Sequence, residues 1–344
     1  MRNRIEWLDS IKGLAILTVV LGHVLVGFNE NHFFSSMIPL SVQTWIYSWH
    51  MPLFISLSGF SFWIAFMKTG EKKKGKLRVN SLNILVVFFV FQLVLCLFKM
   101  LLSNFVDNKL TLIDLLRNLV LPETIMWYMW LLFIYYVIAY LLTDRILCAK
   151  WLLGVSCIIS IAGAWMAKVF AFPLCIRNLF YCFFFFLTGI HLAGHSLKRR
   201  AIQISCAVST AYLVGYCVIR YIFSVDSVIM EFLNAICMLI VMYTTFQHLP
   251  YIGSEKCFLN KLGKRSLVIY LTHTYFVTMC KVVFIRLHLA VPSVVVILAS
   301  LLITLAMTLF ISFLAEKIQW IGAIFEPVKF YYARKNKADD CVGA

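Results

Sequence analysis

The chain has 344 residues, of which 62% are hydrophobic, 16% aromatic and 13% charged, and its formal net charge is +16. A soluble globular domain carries about 25% charged residues, so these proportions exclude one and describe a protein whose surface faces lipid. The excess of Lys and Arg falls mainly in short connections between apolar runs, which makes it a topology signal and removes the case for a nucleic-acid partner.

Apolar runs of near-spanning length predict ten helices, at roughly 13–28, 51–67, 82–102, 126–143, 151–170, 178–194, 201–223, 227–247, 266–285 and 291–314. The predicted fold class is an all-α polytopic integral membrane protein. Arg2, Arg4 and Lys12 precede the first run, but no A-x-A-type cleavage site follows Phe28, so that run is expected to stay as an anchor. With the N-terminus in the cytoplasm, 23 of the 31 basic residues fall in cytoplasmic segments, which predicts an even number of crossings and both termini inside. Residues 38–49 are apolar but carry Pro39, Gln43 and three aromatics, and read as an interfacial approach to the second span. Within the outer connection 103–125, Leu110, Leu112, Ile113, Leu115, Leu116 and residues 119–121 predict a short amphipathic helix before Pro122. Residues 1–318 form the predicted membrane domain. The basic, aromatic tail 319–344 is too short to fold alone, and its Trp320, Phe325, Phe330, Tyr331 and Tyr332 suit the inner leaflet.

The first span places His23 ten residues beyond Lys12, roughly 16 Å along a helix axis, or about half a bilayer deep. A titratable side chain at that depth is a functional candidate, and imidazole suits proton transfer near neutral pH. Its alternative is a structural histidine satisfied by a neighbouring helix. Asp9 and Lys12, spaced i, i+3, suit an ion pair at the membrane face. At the second span His50 precedes Pro52, which removes a ladder hydrogen bond beside it. His50 is read either as a site residue near His23 in the outer leaflet or as a belt histidine. Ser56, Ser58 and Gly59 suit close helix packing. Six basic residues in 68–78 suit acidic lipid or a phosphate, and Arg78, abutting the third span, has the option of turning inward. Tyr270 and His273 share a helix face at i, i+3, as a ligand contact or as packing. The 11 cysteines are scattered singly, without metal-ligand spacing, and read as small buried apolar residues; no metal is expected.

In order, Leu8-Asp9-Ser10-Ile11-Lys12-Gly13-Leu14-Ala15 leading to His23, Trp49-His50-Met51-Pro52-Leu53-Phe54 and Leu57-Ser58-Gly59-Phe60 resemble the membrane acyltransferase-3 family. Trp127-Tyr128-Met129, Leu187-Thr188-Gly189 and Gly263-Lys264-Arg265-Ser266-Leu267 with Tyr270-Leu271-Thr272-His273 extend the series along the whole chain. These multi-span enzymes, which include polysaccharide O-acetyltransferases and fucose 4-O-acetylase-like members, modify bacterial envelope glycans. The resemblance implies an O-acyltransferase of the bacterial plasma membrane. It would bind no resident cofactor, and would take acetyl-CoA as its donor and a glycan or lipid-linked glycan as its acceptor. By the family's motif His23 is the catalytic base or transient acyl carrier, with Asp9 and Lys12 beside it, and Lys12 stands where arginine is usual. The family also carries two arginines three residues apart before the third span. Here Arg78 is followed by Ser81, with the lysines of 72–76 nearby. Arg78, His50, Ser58, Tyr270 and His273 are the expected donor- or substrate-binding residues.

Transferring an acyl group to a hydroxyl needs a base, which histidine supplies, or a histidine nucleophile that splits one step into two. An oxyanion stabiliser is needed either way, with Tyr270, Ser58 or an amide near Pro52 as candidates. The alternatives are a sugar or lipid-linked glycan exporter with histidine proton relays, and a non-catalytic partner that has lost the motif arginines.

Overall fold

The computed structural model describes residues 5–29, 37–67, 73–102, 111–194, 199–223, 227–248, 254, 256–286 and 292–342. Among these residues the protein is helical and has no strand. In chain order the helices are α1 (Glu6–Asn29), α2 (Met37–Phe62) extended by a π-helical turn (Trp63–Met67), α3 (Lys73–Leu101), α4 (Leu112–Val120), α5 (Trp127–Leu141), α6 (Asp144–Leu147), α7 (Lys150–Val169) and α8 (Leu174–Gly194). They continue with α9 (Arg199–Phe223), α10 (Val228–His248), α11 (Phe258–Lys264), α12 (Ser266–Arg286), α13 (Ser293–Lys317), α14 (Gln319–Phe325) and α15 (Pro327–Val342). Among the described residues, eight helices are long and apolar enough to cross a membrane: α1, α2, α3, α7, α8, α10, α12 and α13. The other two predicted spans correspond to shorter apolar stretches, Trp127–Leu141 and Gln203–Val218. The chain is a multi-pass membrane protein.

Residues 38–49 are not an interfacial approach. They are the first turns of α2, continuous through Pro52, and Ile46, Ser48, Trp49 and His50 are all buried in protein. Ser48 is satisfied on both sides: its Oγ donates to the Trp45 carbonyl at 2.7 Å and accepts from Asn234 Nδ2 of α10 at 2.6 Å. Such bonds let a helix with a proline at mid-length stay intact in a dry interior.

The chain forms two compact units, Met1–Leu57 with His195–Ser312, and Ser58–Gly194 with Phe313–Ala344. In the first, α1 packs on α10, α11 and α12, and α9 packs on α10. Val24 and Phe28 of α1 close its core with Val277 of α12 and Val296 of α13. The α1–α11 contact is a backbone contact. A Cβ on Gly13 would overlap the Leu259 carbonyl oxygen, and one on Gly263 would overlap the Asp9 carbonyl oxygen. Only residues without side chains let two helices approach this closely.

In the second unit, α7 packs on α8, α5 on α3 and α8, and α15 on α3. Phe62 at the end of α2 and Phe66 in the π-helical turn meet Tyr136 of α5 at ring-centroid distances of 5.1 and 5.8 Å, and Phe62 meets Phe186 of α8 at 5.7 Å. Gly59 faces α8 with no room for a Cβ, which would overlap the Phe186 carbonyl oxygen. The tail is more ordered than its length suggests. Asn83 Oδ1 of α3 accepts the Val328 amide at 3.1 Å, filling one of the orphan donors at the start of α15. Phe325 is buried against Phe91 at 5.5 Å, while Trp320 stays exposed under the Arg334 guanidinium. Residues 319–342 therefore belong to this unit as a docked helical pair.

The amphipathic helix predicted before Pro122 is α4; Leu110 lies outside the described residues. Leu115 is buried, whereas Leu112, Ile113, Leu116 and Val120 are exposed, an arrangement that suits a bilayer surface. Its start is a capping box: Thr111 Oγ1 accepts the Asp114 amide at 3.2 Å, and Asp114 Oδ2 accepts the Thr111 amide at 2.8 Å. Hydrogen bonds from the Thr111 amide and hydroxyl hold the Asp114 carboxyl below its ordinary value. Because that value is lowered by folding, the cap is at full strength above the ordinary carboxylate range and is lost as pH falls through the lowered value. Hydrogen exchange of the α4 amides, corrected for intrinsic rate, is expected to keep its protection in the wild type down to about pH 4, the ordinary carboxylate value, and to lose it as pH falls further through the lowered one. In Asp114→Asn the loss is expected to be independent of pH.

Of the ten cysteines described, four are buried (Cys96, Cys175, Cys182 and Cys280), five are half-buried and Cys217 is exposed, so the expectation of uniformly buried cysteines holds only in part. All ten are free thiols.

Candidate active site

Three histidines of the first unit, His23, His50 and His273, come together on α1, α2 and α12. Lys12 and His23 are eleven residues apart, close to three turns, so they lie within ~20° of one face of α1 and roughly 16 Å apart along it. Both are half-buried, and Asp9 is buried. The turn carrying Asp9 and Lys12 is fixed by α11. The Gly13 and Gly263 contacts hold it from two sides, and Asn260 Nδ2 donates to the Glu6 carbonyl at 2.8 Å.

His23 faces two neighbours. The Tyr47 hydroxyl of α2 lies 3.4 Å from His23 Nδ1, and the His273 ring of α12 has its centroid 5.1 Å from that of His23. Gly22 makes the first approach possible, since a Cβ there would sit 3.0 Å from Tyr47 Cε2. His50 reaches the group through the same tyrosine, its ring 4.8 Å from that of Tyr47. Further along the seam Gly27 lies beside Val277 and Lys281, so α1 and α12 run parallel. Lys281 is 8% exposed, a buried cation next to this seam.

His50 and His273 are both orphans of solvent, at 2% and 0% exposure. His50 Nδ1 donates to the Ile46 carbonyl at 2.7 Å, and His273 Nδ1 donates to the Tyr270 and Ile269 carbonyls at 2.7 and 3.1 Å. A carbonyl only accepts, so each neutral ring carries its hydrogen on Nδ1 and its lone pair on Nε2. Tyr270 is buried, with its ring 6.0 Å from that of His273. The site is thus a group of one half-buried and two buried imidazoles with two phenols, of which Tyr270 is buried and Tyr47 exposed, able to take up a proton and to hand it on.

The remaining candidates belong to the second unit. Ser58 Oγ is hydrogen-bonded to the Tyr128 hydroxyl at 2.8 Å. Arg78 does not turn inward: it is exposed on α3. Ser81, at the position of the family's second arginine, is buried and donates to the Leu77 carbonyl at 2.9 Å, so this position points into protein and has no room in its bonding for a phosphate contact. Lys76 folds back on the π-helical turn, 3.4 Å from the Ala65 carbonyl and 5.8 Å from the Phe66 ring centroid. Residues 68–72 of the basic run lie outside the described residues. No three His, Cys, Asp or Glu side chains group as a metal-ion site among the described residues.

Tyr47, Gly22, Asn260 and Gly263 act on this site and were not legible as site residues. Tyr47 reads as one of several belt aromatics in sequence, and its spacing of three before His50 is the one signal that would have singled it out.

A family model described as an acyltransferase domain matches residues 5–315. No curated protein and no solved structure gives a match.

Proposed function

The chain belongs to the acyltransferase-3 family of membrane acyltransferases, and from that premise we propose that it moves an acetyl group from acetyl-CoA to a hydroxyl of an envelope or exported polysaccharide, or of its lipid-linked precursor. The observation that carries this reading is the placement of His23, half-buried and roughly 16 Å along α1 from Lys12, with a tyrosine hydroxyl and a second imidazole beside it and Lys12 on the same face toward the helix start. In this reading both termini are cytoplasmic, the membrane is a bacterial plasma membrane, and the thioester enters from the Lys12 side.

The chemistry follows from the groups present. The acceptor oxygen attacks the thioester carbonyl, its proton passes to a His23 ring nitrogen, the C–O bond forms and the C–S bond breaks. The CoA thiolate then takes the proton from His23, which restores the neutral ring. An imidazole whose ordinary pKa lies near neutrality serves both halves of this exchange. Hydrogen-bond donors already in place stabilise the developing oxyanion, and Tyr270 and the Tyr47 hydroxyl are the phenols at hand to donate one.

Membranes carrying the chain are expected to incorporate label from radiolabelled acetyl-CoA into endogenous envelope glycan, and the label is expected to leave as acetate under mild base, as an ester does. Unlabelled glycan in membranes where the acceptor is shown to be present would overturn the reading and favour glycan export.

A further inference from the structure

His273 carries an unfilled acceptor next to the reacting imidazole. Its Nδ1 hydrogen is committed to the Tyr270 and Ile269 carbonyls, which fixes the ring and leaves the lone pair on Nε2. That Nε2 is buried and has no hydrogen-bond partner. A structural histidine in an apolar helix is expected to have both nitrogens satisfied, because an unmade hydrogen bond in a dry interior leaves the desolvation cost of the group uncompensated. The ring lies 5.1 Å from that of His23, on a helix packed against α1.

A neutral His23 offers one N–H. When it takes the proton of the acceptor hydroxyl it becomes an imidazolium with two, and the second donor is stabilised by an acceptor already held beside it. Resting on the reading of His23 as the base, we propose that His273 is its positioning partner: Nε2 of His273 accepts a hydrogen bond from His23 while His23 holds the acceptor's proton. No proton passes to His273, which keeps its own Nδ1 hydrogen throughout. The bond forms only in the charged state of the reaction, so it stabilises the transition state more than the ground state, and this difference raises the rate. The division of labour is that of a base and its orienting group, with a neutral imidazole in the second role. It also explains why His273 is fully buried while His23 is not: the first never touches substrate, and the second must.

The test compares His273→Gln with His273→Met in native membranes, using radiolabelled acetyl-CoA and the endogenous glycan. The two side chains have similar length and volume, but only glutamine presents a strong acceptor. Methionine is expected to lower kcat about 10–100-fold, the value of a hydrogen bond to a charged group, with KM for acetyl-CoA within about twofold of wild type. Glutamine is expected to restore most of that kcat. Equal losses in both variants would make His273 a packing residue and overturn the inference, as would wild-type kcat in the methionine variant. Absence of transfer by wild type would instead overturn the proposed function, and the inference would fall with it.

Discussion

Replacing His23 by alanine is expected to lower acetyl transfer by about 10²–10⁴-fold, the range that a positioned general base supplies. The side chain is half-buried, so its removal opens no large sealed cavity, and the protein is expected to reach the membrane in normal amount. Tyr47→Phe, which keeps the ring against Gly22 and removes only the hydroxyl 3.4 Å from His23 Nδ1, is expected to give a smaller loss in the same direction. The comparison is made as label incorporated per amount of folded protein, with the latter read by size-exclusion of a fluorescent fusion. Retention of more than about a tenth of the wild-type rate by His23→Ala would remove the base from the mechanism. Loss of folded protein in proportion to lost activity would make His23 structural.

The second large effect is steric. Gly263→Ala places a methyl group against the Asp9 carbonyl oxygen, and Gly13→Ala places one against that of Leu259. In each case the opposing atom is backbone, which cannot rotate away, so α1 and α11 must separate. Overpacking of this kind costs about 1–3 kcal/mol or more, and the turn carrying Asp9 and Lys12 moves with it. Both variants are expected to show a lower midpoint of thermal unfolding in detergent together with loss of transfer activity. Gly154→Ala and Gly215→Ala are the controls, since a Cβ at either meets nothing within 4 Å. Their helix propensity improves by about 0.8–1.0 kcal/mol, so their midpoints are expected to hold or rise. Midpoints for Gly13→Ala and Gly263→Ala as high as those of the controls would show that the α1–α11 contact yields without cost.

These two predictions differ in how far the sequence alone leads to them. His23 stands out in sequence because a polar group in an apolar run violates the local pattern, and a violation needs no knowledge of neighbours. Gly13 and Gly263 stand in motifs that read as ordinary helix and loop. Their role is set by the backbone that passes them, 246 to 254 residues away in sequence.

The same division runs through the molecule. Hydropathy by itself determined the helical membrane class and the approximate place of the long apolar helices apart from the first half of α2, and Thr111, Asp114 and the flanking leucines determined α4. These are properties of consecutive residues: apolar length is matched to a bilayer, and a cap is bonded to its own first turn. The tertiary structure alone decided that residues 38–49 continue α2 and that Ile46, Ser48 and Trp49 are buried, that the tail docks through Asn83, that Arg78 stays exposed while Ser81 faces inward, and that Tyr47 and His273 flank His23. In each of these the deciding atom lies on another helix. Lipid-facing and protein-facing surfaces of a membrane helix are both apolar, so the composition of one helix does not say which neighbour covers it; close packing and the few hydrogen bonds between helices do.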